Sequence, residues 1–353
     1  MKTVKLEYDK KLEALLEYIS ITEETNELAK QQRSDELAQK VQALSRNSKK
    51  RVYDYDLIII NLYGVLESFV EQIIRAYLLD LEKYIKNYDS LPKAILNNHI
   101  PFSADLIKNI DKLDKYKTIN KNVVITNLNS CIVDKCNYKI NIEAFTHHSS
   151  NFRKDAIREI FQNIGFSNIT AGIAKSESIE KYFRVVEGLD DVDIKRKSEE
   201  STYEILMDLI ERRNLIAHGL ESDNLLSLEI LHSYTKYIQA LLQGIFNIVQ
   251  NKLAIDRIEN TKHHVLGRPI NTYKQKYVIG LNSQHILIEP GMEIYAKNAK
   301  GDRCHIGKII SIMHDGVEQE YIGEGDDWEV GIAVSEEIPL SKNLEYGVFP
   351  KDN

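Results

Sequence analysis

Cysteine is scarce in this chain, with three among 353 residues, too few for a disulfide framework. The first residues, MKTVKLEYDKKLEALLEY, lack the apolar core of a secretory leader. Long apolar runs are missing too: the longest, Leu57 to Leu62, is interrupted at Asn61 and is far too short to span a bilayer. No Gly-rich phosphate loop, Walker motif or Gly-x-Ser-x-Gly elbow is present, so ATP-driven chemistry has no support and no cofactor is expected. No internal repeat or low-complexity tract stands out. These absences give the expectation of a reduced, soluble, cytoplasmic protein with no membrane partner.

A surplus of positive charge is also lacking. The net charge is −7, which speaks against a generally basic nucleic-acid binder. The acidity is uneven. Residues 277–353 carry 14 acidic and 6 basic residues, whereas residues 1–276 carry 39 acidic and 40 basic. Any RNA contact is therefore expected in a cleft of the first part. The acidic end suits a protein, or a basic patch of one, better than bare nucleic acid.

With 43% hydrophobic residues there is ample material for a core, and the length suggests two or three domains. Residues 1–50 form a polar extension with Leu6, Leu12, Leu15, Leu16 and Ile19 at helical spacing, and strong helix formers run from Glu23 to Lys50. The clearest periodicity is over 55–86, where Ile58, Leu62, Val65, Leu66, Phe69, Ile73, Tyr77, Leu81 and Ile85 predict a central helix, stopped by Pro92. Short helices and loops are expected over 93–150, a helix from Phe152 to Ile164 ended by Gly165, and a connecting loop or lid over 170–198. Ser201 to His218 and 224–255 read as helices. After about residue 265, Tyr277-Val-Ile-Gly, Ile286-Leu-Ile, Met292-Glu-Ile-Tyr, Gly307 to Ile312 and Trp328 to Val334 have strand character between turn signals such as Gly323-Glu-Gly325. The fold class is α+β: an N-terminal extension (1–50), an all-α bundle (51–260) and a small C-terminal β-barrel (270–353).

One stretch carries chemistry: Asp208-Leu-Ile-Glu-Arg-Arg-Asn-Leu-Ile-Ala-His-Gly219. Arg213 and His218 enclose four residues, and Asn214 follows the arginine directly. This resembles the Arg-x4–6-His motif of the HEPN superfamily. The segment from Asn151 to Gly165 is similar to one that precedes the motif in a bacterial HEPN branch, that of the MAE_28990/MAE_18760-like and RiboL-PSP type. The resemblance covers roughly residues 50–255. It implies a metal-independent endoribonuclease in which the 2′-OH attacks the adjacent phosphate, leaving a 2′,3′-cyclic phosphate and a 5′-OH. His218 is then the proton shuttle, Arg213 the bidentate cation facing the phosphorane, and Asn214 a group that orients the imidazole or binds a phosphate oxygen. Arg212 is a second basic group for the RNA backbone. Arg213 and His218 stand about 140° apart on an ideal helix, so they do not meet within one chain. The family resemblance implies a homodimer with a composite cleft, and a toxin or antiphage effector of abortive-infection type. A catalytically silent HEPN dimer that senses or scaffolds is the alternative. The plainest reading of Arg-Arg-Asn at a helix end remains a solvated face compensating the helix dipole.

Tyr63 and Glu67 interrupt the apolar stripe of the 55–86 helix. They are candidates to line the cleft opposite the motif, although an ordinary surface role explains them as well. Cys131, Cys136, His147 and His148 are metal-ligand types, but C-x4-C with adjacent histidines does not match the usual zinc spacings, and free thiols are the simpler reading. Gly307-Lys-Ile-Ile-Ser-Ile-Met-His-Asp-Gly316 followed by Val330-Gly-Ile-Ala333 looks like the second-domain barrel of translational GTPases. That likeness implies a ribosome, tRNA or protein partner for the C-terminal module.

Overall fold

The computed structural model describes residues 1–30, 39–40, 43, 48–113, 116–146, 151–219, 224–282, 286–323 and 329–351. The chain divides into two compact units: Met1–Leu79 with Asn87–Ile248, and Asp80–Lys86 with Val249–Asn353.

The first unit is helical. Helix α1 (Lys2–Lys30) buries Tyr8, Leu12, Leu15 and Ile19, spaced four, three and four apart. Tyr8 fills the place expected of Leu6, which is exposed, and packs edge-on against Phe69 with ring centroids 5.4 Å apart. Most of the remaining helical stretch anticipated up to Lys50 lies outside the described residues. Helix α2 (Ser48–Tyr84) is, up to Leu79, the core of the unit, and its last residues belong to the second. Its predicted stripe is buried except for half-buried Val65, and Ile59, Tyr63, Val70, Ile74 and Leu78 add a second buried row. By length and composition alone α2 would pass as a membrane span; half of that window is buried inside the protein.

Pro92 does not end α2. The helix stops at Tyr84, and Pro92 is the N-cap of α3 (Lys93–Asn109), where a fixed φ and a missing N–H cost nothing. Short helices α4 (Lys121–Asn129) and α5 (Ile142–Phe145) follow. Between them and α3 lies a buried polar knot. The backbone N–H of Asn141 donates to His99 Nε2 at 2.9 Å, so the proton of the neutral ring sits on Nδ1, 2.9 Å from the Tyr88 hydroxyl. Burial lowers the pKa of His99 to about 4.

Helix α6 (Lys154–Gln162) is closed by Gly165 at φ 100°, with the Phe166 N–H bonded back to Phe161 O at 3.0 Å. The segment expected to be a loop or lid is instead largely helical: α7 (Ile169–Ala174), α8 (Glu177–Val185) and α9 (Asp191–Arg196), with α10 (Glu199–Thr202) directly after it. Its anchors are few, but Ile173, Ile179, Tyr182 and Phe183 are all buried, and the Asp190 carboxylate caps α9 through the N–H groups of Val192 and Asp193. The motif helix α11 (Glu204–Ala217) buries Leu206, Leu209 and Ile210 and ends at Gly219, φ 67°. Helix α12 (Leu228–Asn260) gives Leu228–Ile248 to the first unit and its remaining turns to the second.

The second unit holds an antiparallel sheet of β1 (His264–Gly267), β2 (Asn271–Tyr273), β3 (Val278–Asn282), β4 (Glu293–Lys297), β5 (Cys304–His314), β6 (Val317–Gln319), β7 (Glu329–Val334) and β8 (Glu345–Val348). The order is β1-β8-β4-β5-β7-β3-β2, with β6 on β5. The expected barrel is not closed: β1 and β2 are the two ends of the path and do not pair with each other. Strand β5 carries the bend. Its first half pairs with β4 and its second with β7, with an irregular register between Ile309 and Ser311. Ile279, Leu281, Ile294, Ile309, Ile312, Val330, Ile332, Tyr346 and Val348 form the core. A smaller cluster joins Ala254 and Ile258 of α12 to Tyr295, Cys304 and Phe349. Among the described residues, the Ile286-Leu-Ile segment contributes a single bridge, Ile288 to Ile322. Trp328 and part of the Gly323-Glu-Gly325 turn fall outside the described residues.

Candidate active site

Arg212 and Arg213 are neighbours on α11, and their side chains diverge along α2. Arg213 extends to Tyr63, with Cζ 4.7 Å from the ring centroid. Its Nη1 donates to Asn214 Oδ1 at 3.2 Å and, at a long 3.4 Å, to Asn151 Oδ1. The two amides also bond to each other, Asn151 Nδ2 to Asn214 Oδ1 at 2.9 Å. Behind them the buried Tyr63 hydroxyl accepts the Phe152 N–H at 3.2 Å and faces Asn151 Oδ1 at 3.4 Å. Burial raises the Tyr63 pKa, the Phe152 N–H opposes that, nearby Glu67 adds to it and Arg213 lowers it; the net direction is upward, so the phenol is a neutral donor at physiological pH.

His218 is the C-cap of α11. Its backbone N–H bonds to the carbonyls of Asn214 and Leu215 at 3.0 and 3.2 Å. The imidazole is exposed and makes no hydrogen bond with a described residue. The structure thus gathers Arg213, Asn214, Tyr63 and Asn151 into one constellation, with His218 at the exposed end of the same helix.

A comparison with protein families matches residues 16–251 to RiboL-PSP-HEPN. The chain belongs to this family. Among curated proteins and among solved structures, nothing matches it. The HEPN span runs from within α1 into α12. It contains the whole constellation and leaves the sheet outside.

Within the HEPN unit Arg212, expected to hold the RNA backbone, is engaged by groups of its own chain. Its Nε donates to Asp208 at 2.5 Å, and its Nη1 donates to the Tyr55 hydroxyl at 3.0 Å and to Asn224 O at 2.9 Å. Tyr234 donates to the same Asp208 oxygen at 2.6 Å. This guanidinium is half-buried and occupied, tying α11 to α2 and to α12. Arg213 is the one whose remaining edge, Nη2 and Nε, makes no hydrogen bond with a described residue. Local spacing alone leaves Asn151 undetected as a site residue; the only hint is its place at the head of the segment typical of HEPN relatives.

The cysteines do not gather. Cys131 is buried with its thiol on Lys139 O at 3.2 Å, and Cys136 is exposed. His147 and His148 lie outside the described residues. Among the described residues, no group of three or more His, Cys, Asp or Glu could hold a metal ion.

Proposed function

We infer that the protein is a metal-independent endoribonuclease of the HEPN type. Domains of this superfamily are often ribonucleases. The observation that carries the reading is the state of Arg213, held flat by a ring and two amide oxygens with one edge uncommitted, five positions before an exposed histidine on the same helix. In the reaction, His218 accepts the proton of the 2′-OH as O2′ bonds to phosphorus. The P–O5′ bond breaks and O5′ takes up a proton from water, giving a 2′,3′-cyclic phosphate and a 5′-OH, and the His218 imidazolium returns its proton to solvent. Arg213 meets the charge that grows on the equatorial oxygens.

The active species in this reading is a homodimer. Tyr53, Leu57 and Ile60 form an exposed apolar stripe on α2, continued by Gly64, beside which a Cβ would meet open space. Leu215, next to Asn214, is exposed as well. A second copy on this face would supply the imidazole that Arg213 lacks in its own chain. We assign the protein to the cytoplasm as a toxin or antiphage effector, and its acidic C-terminal unit to a basic surface on a protein or ribosomal partner.

The test is direct. Purified protein should cut RNA in the presence of EDTA and leave cyclic phosphate ends, and His218→Ala should be folded and inactive. Cleavage by that variant at the wild-type rate would remove His218 from the reaction. A silent HEPN dimer acting as a sensor or scaffold has one observation in its favour, the imidazole that no described residue orients. It predicts a stable RNA or protein complex without turnover.

A further inference from the structure

We propose that Tyr63 and Asn151 are positioning residues for Arg213, acting as a cradle that fixes which edge of the guanidinium meets the substrate. The proposal rests on the ribonuclease reading and adds residues from outside the Arg-x4-His motif to that site.

An arginine at a helix surface has many rotamers and five donors, and catalysis gains only from the one arrangement that fits a phosphate. Here three groups remove the choice. The Tyr63 ring lies against one face of the guanidinium. The side-chain oxygens of Asn151 and Asn214 both lie toward Nη1. The edge formed by Nη2 and Nε, the fork that binds a phosphate bidentately, is left without a described partner.

The orientation of the cradle is set by a chain of donors and acceptors. The Phe152 N–H is a fixed backbone donor to the Tyr63 hydroxyl, so the phenol proton turns toward Asn151 Oδ1. With its oxygen on that side, Asn151 aims its Nδ2 at Asn214 Oδ1. Turning either amide over would set an NH2 group against the guanidinium, donor against donor. Asn214 therefore presents its own NH2 away from the cradle, where no described residue accepts from it. Arg213 and Asn214 together offer a fork and an amide donor side by side, both suited to the oxygens of one phosphate.

The experiment is a double-mutant cycle on RNA cleavage with the full-length protein. Asn151→Ala should lower kcat about a hundredfold, the scale of a misplaced catalytic group, with KM changed less than threefold. Tyr63→Phe keeps the ring and drops the relay; it should lower kcat about tenfold, the scale of one lost hydrogen bond, and melt within a few degrees of wild type. In an Arg213→Lys background, which has no planar fork to hold, Asn151→Ala should have no further effect. A general structural defect would instead add its full loss in that background, and that outcome overturns the proposal. Wild-type rates for both Asn151→Ala and Tyr63→Phe, with Arg213→Lys impaired, overturn the cradle and leave the ribonuclease reading standing. Absence of RNA cleavage by the wild-type protein overturns both.

Discussion

Asn151 and Asn214 stand 63 positions apart in the chain, and their side-chain amides meet at 2.9 Å. The contact joins the residue just ahead of α6 to the motif helix and sets an amide oxygen beside Arg213. An amide is suited to this because it donates and accepts at once without carrying charge. A carboxylate there would hold Arg213 more strongly but would neutralise the charge a phosphorane needs.

Arg213→Lys should separate charge from geometry. Lysine keeps the cation and loses the planar fork and the stacking. Single-turnover cleavage should slow about a hundredfold, the scale of one lost transition-state donor, while RNA affinity changes little. A loss below threefold would show that the guanidinium plane is not used.

Arg212→Ala should act on stability. It strips Asp208, the Tyr55 hydroxyl and the Asn224 carbonyl of a shared partner, and Asp208 is partly exposed, which tempers the cost. About 2 kcal/mol should be lost in urea unfolding. The salt dependence of RNA binding should keep its slope, whereas a fall of about one unit would mark Arg212 as a phosphate contact.

Leu57→Glu combined with Ile60→Glu places charge on the exposed stripe of α2. Both side chains are solvent-facing in a single chain, so folding should be unaffected in circular dichroism. Sedimentation equilibrium should show monomers, and cleavage should disappear with the dimer. Active monomers would refute the composite cleft.

His99 predicts a pH window. Burial lowers its pKa to about 4, from an ordinary value of 6.5. Between these values the unfolded chain binds a proton that the folded chain refuses, so stability falls as pH drops below 6.5 and the loss is complete near 4. The slope is about 1.4 kcal/mol per pH unit and the total about 3 kcal/mol. Above pH 6.5 His99 contributes no pH dependence. His99→Gln should flatten this part of the profile in urea unfolding at pH 4.5 and 7, and an unchanged slope would assign it to other groups.

In the sheet, Gly347→Ala should be severe. An added Cβ would lie 2.3 Å from the Tyr295 ring and 2.5 Å from the carbonyl of His264. A cost above about 3 kcal/mol is expected. At Gly331 the nearest atom would be 3.4 Å away, so in thermal unfolding of the two variants Gly331→Ala should melt close to wild type and Gly347→Ala far below it.

The long helices are legible in the sequence because burial repeats along them: the α2 stripe from Ile58 to Leu81 is visible without coordinates, and so is Gly219 closing α11. The run from Ile169 to Arg196 is not, since its helices are broken into pieces of six to nine residues by polar connections that carry few apolar anchors. Strands β3, β5 and β7 are signalled by β-branched residues and β4 by Ile294-Tyr295. β1, β2 and β8 span only three or four residues, and closure of the sheet depends on whether β1 meets β2, which no local pattern encodes. At the site, Arg213, Asn214 and His218 share one motif and are found together. Asn151 joins Arg213 across 62 positions and Tyr63 joins Asn151 across 88, and polar pairings at such range leave no periodic trace.

Ala254 and Ile258, on the last turns of α12, pack with Tyr295, Cys304 and Phe349 and belong to the same compact unit as the sheet. The C-terminal part is therefore not a portable cassette that begins where the first strand begins. A fragment cut at residue 264 would carry all the strands and expose one apolar patch, and a graft onto another protein would need the helical stem from Val249 to remain soluble.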